Sequence, residues 1–153
     1  MTSPADVAPR NDLHWLAVRL FQDLGTAELP AVQQQGLSLW GYEALRTVRH
    51  QPAPNQLALA RALGIDKNRM VAIVDELQDA GLVERTADPG DRRNRCIQIT
   101  RAGRQLCDAT MAELDRIEAR ALTVLPAQRR SKFISDLQHV IDALAALGRD
   151  QPN

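Results

Sequence analysis

No apolar run in the chain approaches the roughly eighteen residues that a membrane-spanning helix needs, so a membrane partner is not expected. Cysteine is scarce: Cys96 and Cys107 stand alone, and neither they nor the three histidines show metal-ligand spacing. That excludes a disulfide scaffold and a zinc site, and it suits a reducing cytoplasm in which both thiols act as small hydrophobes. Charge of one sign is missing as well. Nineteen basic and nineteen acidic residues cancel, which argues against nucleic-acid binding through bulk charge. There is no glycine-rich phosphate loop, no nucleophile elbow and no H-E-x-x-H, so neither catalysis nor a cofactor is expected. Residues 1–10 lack the charged start and apolar stretch of a signal peptide and read as a short disordered tail.

What is present is a chain of single-domain length whose 44% hydrophobic and 25% charged residues describe a globular protein. Leu13, Leu16, Leu20 and Leu24 recur at helical spacing, with Asn11 or Asp12 placed to cap the helix and Gly25 to end it. A polar connection over 28–36 should follow, containing Pro30 and three glutamines. Ser38 is placed to cap a second helix to about Arg49, after which Pro52 and Pro54 hold the chain extended. Two short helical patterns then lie close together. Asn55 caps the first, which should bury Leu57, Ala60 and Leu63; Gly64 and Ile65 make the turn. Asp66 caps the second, where its carboxylate also meets the positive end of the helix dipole. This second pattern sets Met70, Ile73, Val74 and Leu77 on one face and leaves Asp75, Glu76 and Asp79 to solvent.

Beyond Gly81 the period becomes extended. Segments 82–86 and 95–99 read as strands, with a turn-rich loop over 87–94. Thr100 caps a long helix through Leu106, Thr110, Leu114, Ile117 and Ala121. Pro126 opens a last helix carrying Phe133, Leu137, Val140, Leu144 and Leu147. The expected fold is therefore mainly α with a small two- or three-stranded antiparallel β wing.

Helix, tight glycine turn and second helix form the helix-turn-helix pattern, whose second helix enters the major groove of DNA. With its apolar face buried, the outward positions near its start are Lys67, Asn68, Arg69, Val71 and Ala72. Arg69 suits a bidentate contact to guanine, Asn68 one to adenine, and Val71 or Ala72 a thymine methyl; Lys67 suits a phosphate. The same geometry also occurs in proteins that bind no DNA, and the following hairpin decides the matter. From 81 to 104 there are six arginines (Arg85, Arg92, Arg93, Arg95, Arg101, Arg104) against Glu84, Asp88 and Asp91. This local surplus acts over a Debye length of about 8–10 Å whatever the total charge. Arg92, Arg93 and Arg95 flank the turn and suit the narrow minor groove, with Asp91 placed to orient one of them. An exposed charged hairpin is the plainer alternative for the loop alone.

The segments 65–70, 77–85, D-P-G-D-R-R at 88–93 and I-T-R-A-G at 99–103 resemble the MarR (multiple-antibiotic-resistance regulator) family. Ile99 stands where leucine is usual. Family members often carry serine or threonine at the positions of Asn68, Arg69 and Val71 and arginine at that of Ala72, so the operator should be this protein's own. The resemblance implies a winged helix-turn-helix over 37–103 with dimerisation helices over 11–36 and 104–149. It further implies a homodimer on a pseudo-palindromic site in double-stranded DNA, usually repressing, and released by a small aromatic effector. A partner would cover the stripes of Leu13, Leu16, Leu20, Phe133, Leu137, Val140, Leu144 and Leu147, which could alternatively pack on their own chain. Trp15, His14, Trp40, Tyr42, Arg46 and His50 are the candidate effector contacts by position and type. No reactive cysteine lies near the first helix, and Cys107 falls on an apolar face, so redox sensing is not expected. A winged-helix module that binds protein rather than specific DNA is the competing function.

Overall fold

Helix starts follow their capping side chains. Asp12 accepts from the Trp15 amide (3.0 Å) at the head of α1 (Leu13–Gln34), and Ser38 from the Gly41 amide (2.9 Å) at the head of α2 (Leu39–His50). Asn55 accepts from the Ala58 amide (2.8 Å) to open α3 (Gln56–Leu63). Asp66 takes the amides of Asn68 and Arg69 (2.8 and 3.2 Å) to open α4 (Lys67–Asp79). Each satisfies donors that a helix leaves free in its first turn. Strands β1 (Val83–Ala87) and β2 (Arg95–Ile99) pair antiparallel with Val83 opposite Ile99 and Ala87 opposite Arg95. α5 (Arg101–Ala121) and α6 (Ala127–Arg149) follow. This computed structural model describes residues 10–53, 55–87, 90 and 95–149; the expected tail over 1–10 lies outside them except for Arg10.

Two expectations are corrected. Gly25 does not end the first helix: α1 runs on through Pro30 to Gln34 and takes in most of the expected polar connection. The helix stops at Gly36, which adopts a left-handed φ of 73°. There the Gly36 amide donates to Gln33 (2.9 Å) and the Leu37 amide to Val32 (3.2 Å), the crossed pair that closes a helix C-terminus. Val32 and Leu37 are both buried at that closure, and this burial holds the last turns despite the donor missing at Pro30. In α3 the buried residues are Leu59 and Ala60, whereas Leu57 is exposed, because an eight-residue helix shows only about two turns to the core. Of the two- or three-stranded wing expected, the two-stranded one forms, and Ala53 adds a single bridge in which it and Ile97 exchange amide bonds of 3.0 and 2.8 Å.

The chain divides into two compact units, Met1–Asp115 and Arg116–Asn153, and the boundary falls within α5. In the first unit, Tyr42, Leu45 and Val48 of α2 join Leu59, Met70, Val74, Leu77, Val83, Ile97, Cys107 and Leu114 in one core. The second unit has no buried residue in α6; Phe133, Ile134, Val140, Ile141, Leu144 and Leu147 are exposed.

Candidate nucleic-acid interface

The inward face of α4 consists of Met70, Ile73, Val74 and Leu77, all buried, as the sequence spacing requires. This fixes the rotation of the helix and leaves Lys67, Asn68, Arg69 and Ala72 exposed, with Val71 half-buried. The turn before α4 is short. Gly64 adopts a left-handed φ of 65°, the Ile65 amide returns to the Ala60 carbonyl (3.0 Å), and Asp66 immediately caps the next helix. The Arg69 guanidinium lies over the indole of Trp40, 5.5 Å from the ring centroid.

Arg85 on β1 belongs to the basic stripe by sequence, but its charge is used within the protein. It pairs with Asp75, donates to Gln78 at 2.5 Å, and meets the Gln56 amide oxygen from Nε at 3.3 Å once that amide faces it. One side chain thus fastens the first wing strand to both α3 and α4. Asp75 is accordingly an ion-pair partner and not merely a solvated acid. Arg95 is exposed at the start of β2. Asp91, Arg92 and Arg93 lie outside the described residues.

The far end of β2 is anchored just as closely. The Thr100 hydroxyl donates to Gly81 (2.7 Å) and accepts from the Gly103 amide (3.0 Å), while the Thr100 amide donates to Leu82 (3.0 Å). A Cβ on Gly103 would lie 2.0 Å from the Leu82 carbonyl oxygen, which explains glycine at this position.

The residues suggested for an effector do not converge. Trp15 lies beneath Arg19 on α1 (5.4 Å), Trp40 lies beneath Arg69, and His14 and His50 are exposed. Tyr42 and Arg46, one turn apart on α2, do interact. Burial pushes the Tyr42 phenol up to about 12, and the Arg46 charge opposes that rise. The Tyr42 hydroxyl, on a side chain 1% exposed, has no hydrogen-bond partner among the described residues. Three cavities of about 130, 40 and 110 Å³ are lined by other residues and are smaller than ordinary ligand sites.

Burial also raises the Cys107 thiol above its usual range, the opposite of what an oxidant sensor needs. The adjacent Arg49 is held by Asp108 at 2.5 Å. No sequence signal pairs these two, since 59 positions separate them. Among the described residues no group of His, Cys, Asp and Glu could hold a metal, and no helix is long and apolar enough to cross a membrane.

A family model described as MarR family matches residues 37–94, from the start of α2 into the wing. A crystal structure of a MarR family transcriptional regulator from Rhodococcus sp. RHA1 is 30% identical, covering 92% of this chain and 96% of that one at a TM-score of 0.75. The chain belongs to the MarR family. It is a MarR-family transcriptional regulator with the winged-helix fold of its relatives, and nothing points to catalysis. CouR from Rhodococcus jostii RHA1, solved bound to p-coumaroyl-CoA, is 33% identical over 85% of this chain and 92% of its own, with a TM-score of 0.73. A MarR family protein of Mycobacterium tuberculosis in complex with DNA is 25% identical over 86% and 98%, with a TM-score of 0.74. A curated protein of Thauera aromatica described as a putative transcriptional regulatory protein for the hcr operon is 34% identical over 71 residues. That match spans 46% of this chain and 43% of its relative.

Proposed function

We propose that this MarR-family regulator represses transcription as a homodimer on a pseudo-palindromic operator. In this reading 37–103 is the DNA-binding region, with α4 in the major groove and the wing at the minor groove. Residues 11–36 and 104–149 form the dimerisation region. The observation that carries it is the first turn of α4. Lys67, Asn68 and Arg69 project from a helix whose opposite face is committed to the core and whose first amides are held by Asp66. Such a turn presents donors to base edges from a rigid frame. Val71 and Ala72 add apolar contacts, and Asp91, Arg92, Arg93 and Arg95 are assigned to the wing contact from the sequence.

A small aromatic ligand releases the protein from DNA by binding one state of the dimer more tightly than the other. The relative bound to p-coumaroyl-CoA supports an aromatic ligand, there joined to coenzyme A. On this chain Arg46 is the half-buried cation among the candidate contacts, and it lies close enough to the core phenol of Tyr42 to act on its charge. Trp15, Trp40 and His50 have less support, since two of them already stack on arginines.

A gel shift on the DNA upstream of the protein's own gene, run at two salt concentrations, tests the reading. Binding should be sequence-selective and fall steeply with salt. Arg69→Ala should relax a single base position by about 1–3 kcal/mol, and Arg93→Ala should weaken all sites evenly. Wild-type binding by both variants would refute these roles. Absence of any selective binding would instead indicate a protein-interaction module.

A further inference from the structure

The inward face of α4 is explained by burial, its start by capping and Asp75 and Gln78 by Arg85, but the contact between Arg69 and Trp40 has no such account. Trp40 sits in the first turn of α2, two residues after the Ser38 cap, and is half-buried against the core. Its ring is therefore fixed from behind. Arg69 leaves α4 from its exposed first turn, and its guanidinium carbon lies 5.5 Å from the indole centroid. A guanidinium drawn to an indole by cation–π attraction still carries N–H donors that the ring does not use, and those are the groups that read guanine. Free arginine side chains lose considerable freedom on binding; one already laid on an aromatic plate loses less.

We infer that Trp40 is a positioning residue for DNA reading: it holds Arg69 at the first turn of α2 so that base preference at one operator position depends on a residue outside the recognition helix. The contact sets where the guanidinium lies beside the first turn of α4. It also places the reading group in contact with the helix that follows the Gly36 turn, so a shift of α2 moves the Arg69 donors. This inference rests on the assignment of Arg69 to a base contact.

The test is selection of bound sequences from a pool of operator variants, with affinity measured alongside, for wild type, Trp40→Phe, Trp40→Leu, Arg69→Ala and Trp40→Leu combined with Arg69→Ala. Trp40→Leu should reduce discrimination at the single position that Arg69→Ala relaxes, by about two- to fivefold, and leave the remaining preferences unchanged. Trp40→Phe keeps an aromatic face and should retain most of that discrimination. In the Arg69→Ala background, Trp40→Leu should have no effect on base preference, since the group it positions is gone.

Equal loss at all positions, or the same loss with and without Arg69, would show that Trp40 only supports the fold. Discrimination that rises in Trp40→Leu would show that the stack withholds Arg69 from DNA; either result overturns the inference. An intact effect of Arg69→Ala with none from either Trp40 variant refutes the positioning role alone. If Arg69→Ala changes no position, the base-contact assignment fails first and the inference falls with it. Thermal melting of each variant separates loss of fold from loss of reading, and Trp40→Phe preserves the test should Trp40→Leu fail to fold.

Discussion

Tyr42 carries a phenol into the core of the first unit, where its hydroxyl has no partner among the described residues. Leaving a buried donor unpaired costs about 1–3 kcal/mol, so packing of the ring must outweigh that loss. The same burial raises the phenol from 10.0 to about 12, with desolvation the largest cause. The sign follows from which state holds the proton. Between pH 10 and 12 the unfolded chain has released it while the folded chain retains it, so stability present below pH 10 is lost as pH rises through about 12. The full shift is worth about 2–3 kcal/mol. Because Tyr42 is the only tyrosine in the chain, tyrosinate absorbance reads it without overlap. Denaturant unfolding of Tyr42→Phe should show equal or higher stability at neutral pH and a flatter decline between pH 10 and 12. A variant that falls as steeply as wild type over that window would assign the alkaline loss to other groups.

At the scale of elements, the sequence was most informative where structure is decided within a few residues. Ser38, Asn55, Asp66 and Thr100 cap the helices expected of them, the inward face of α4 is the predicted one, and β2 has the predicted limits. These are local matters of side-chain oxygen, helical period and turn chemistry. The length of α1 was not legible, because Gly25 and Pro30 are weak stops whose influence is overridden by Val32 and Leu37 burying together. Nor could spacing reveal that Arg85 pairs with Asp75 or that Trp40 underlies Arg69, since those contacts exist only after α2, α4 and β1 are assembled. The site was therefore readable as a list of exposed residue types, and the fastening that aims them was not.

Gly103 shows how an element junction can override local preference. In a helix, alanine is better than glycine by about 1 kcal/mol. Here a Cβ would stand 2.0 Å from the Leu82 carbonyl oxygen and 2.9 Å from Ile99 Cγ1, and the first of these contacts is with backbone. Separating α5 from the strand junction would also stretch the Thr100 bonds to Gly81 and Leu82. Overpacking of this kind costs about 1–3 kcal/mol, at the upper end where backbone must move. Gly103→Ala should therefore destabilise by about 2 kcal/mol net and lower the melting temperature by roughly 4–8 °C. A melting temperature at or above wild type would mean that the close approach of α5 to Leu82 contributes no constraint.

For the molecule as a whole, the decisive quantity is apolar surface left uncovered. Leu13, Leu16, Leu20 and Phe21 on α1 are exposed, and so are Phe133, Val140, Leu144 and Leu147 on α6, where Leu144 and Leu147 reach 53% and 64% exposure. Full burial of one such side chain contributes about 1.5–3 kcal/mol, so several half-covered ones can drive association against its entropic cost. A second copy of the chain is the occupant we propose, because a two-fold pair would also present two α4 helices to half-sites about 34–36 Å apart. Sedimentation at micromolar concentration should then give twice the 17.0 kDa chain mass. Leu144→Glu and Leu16→Glu change exposed positions, so each should keep its helical signal while shifting the protein toward monomer. Operator affinity should fall far more than for any single DNA contact, since a monomer loses the effective concentration that the second helix supplies. A monomeric wild type would remove the dimer from the mechanism. Dimeric variants with undiminished affinity would place the interface elsewhere on the chain.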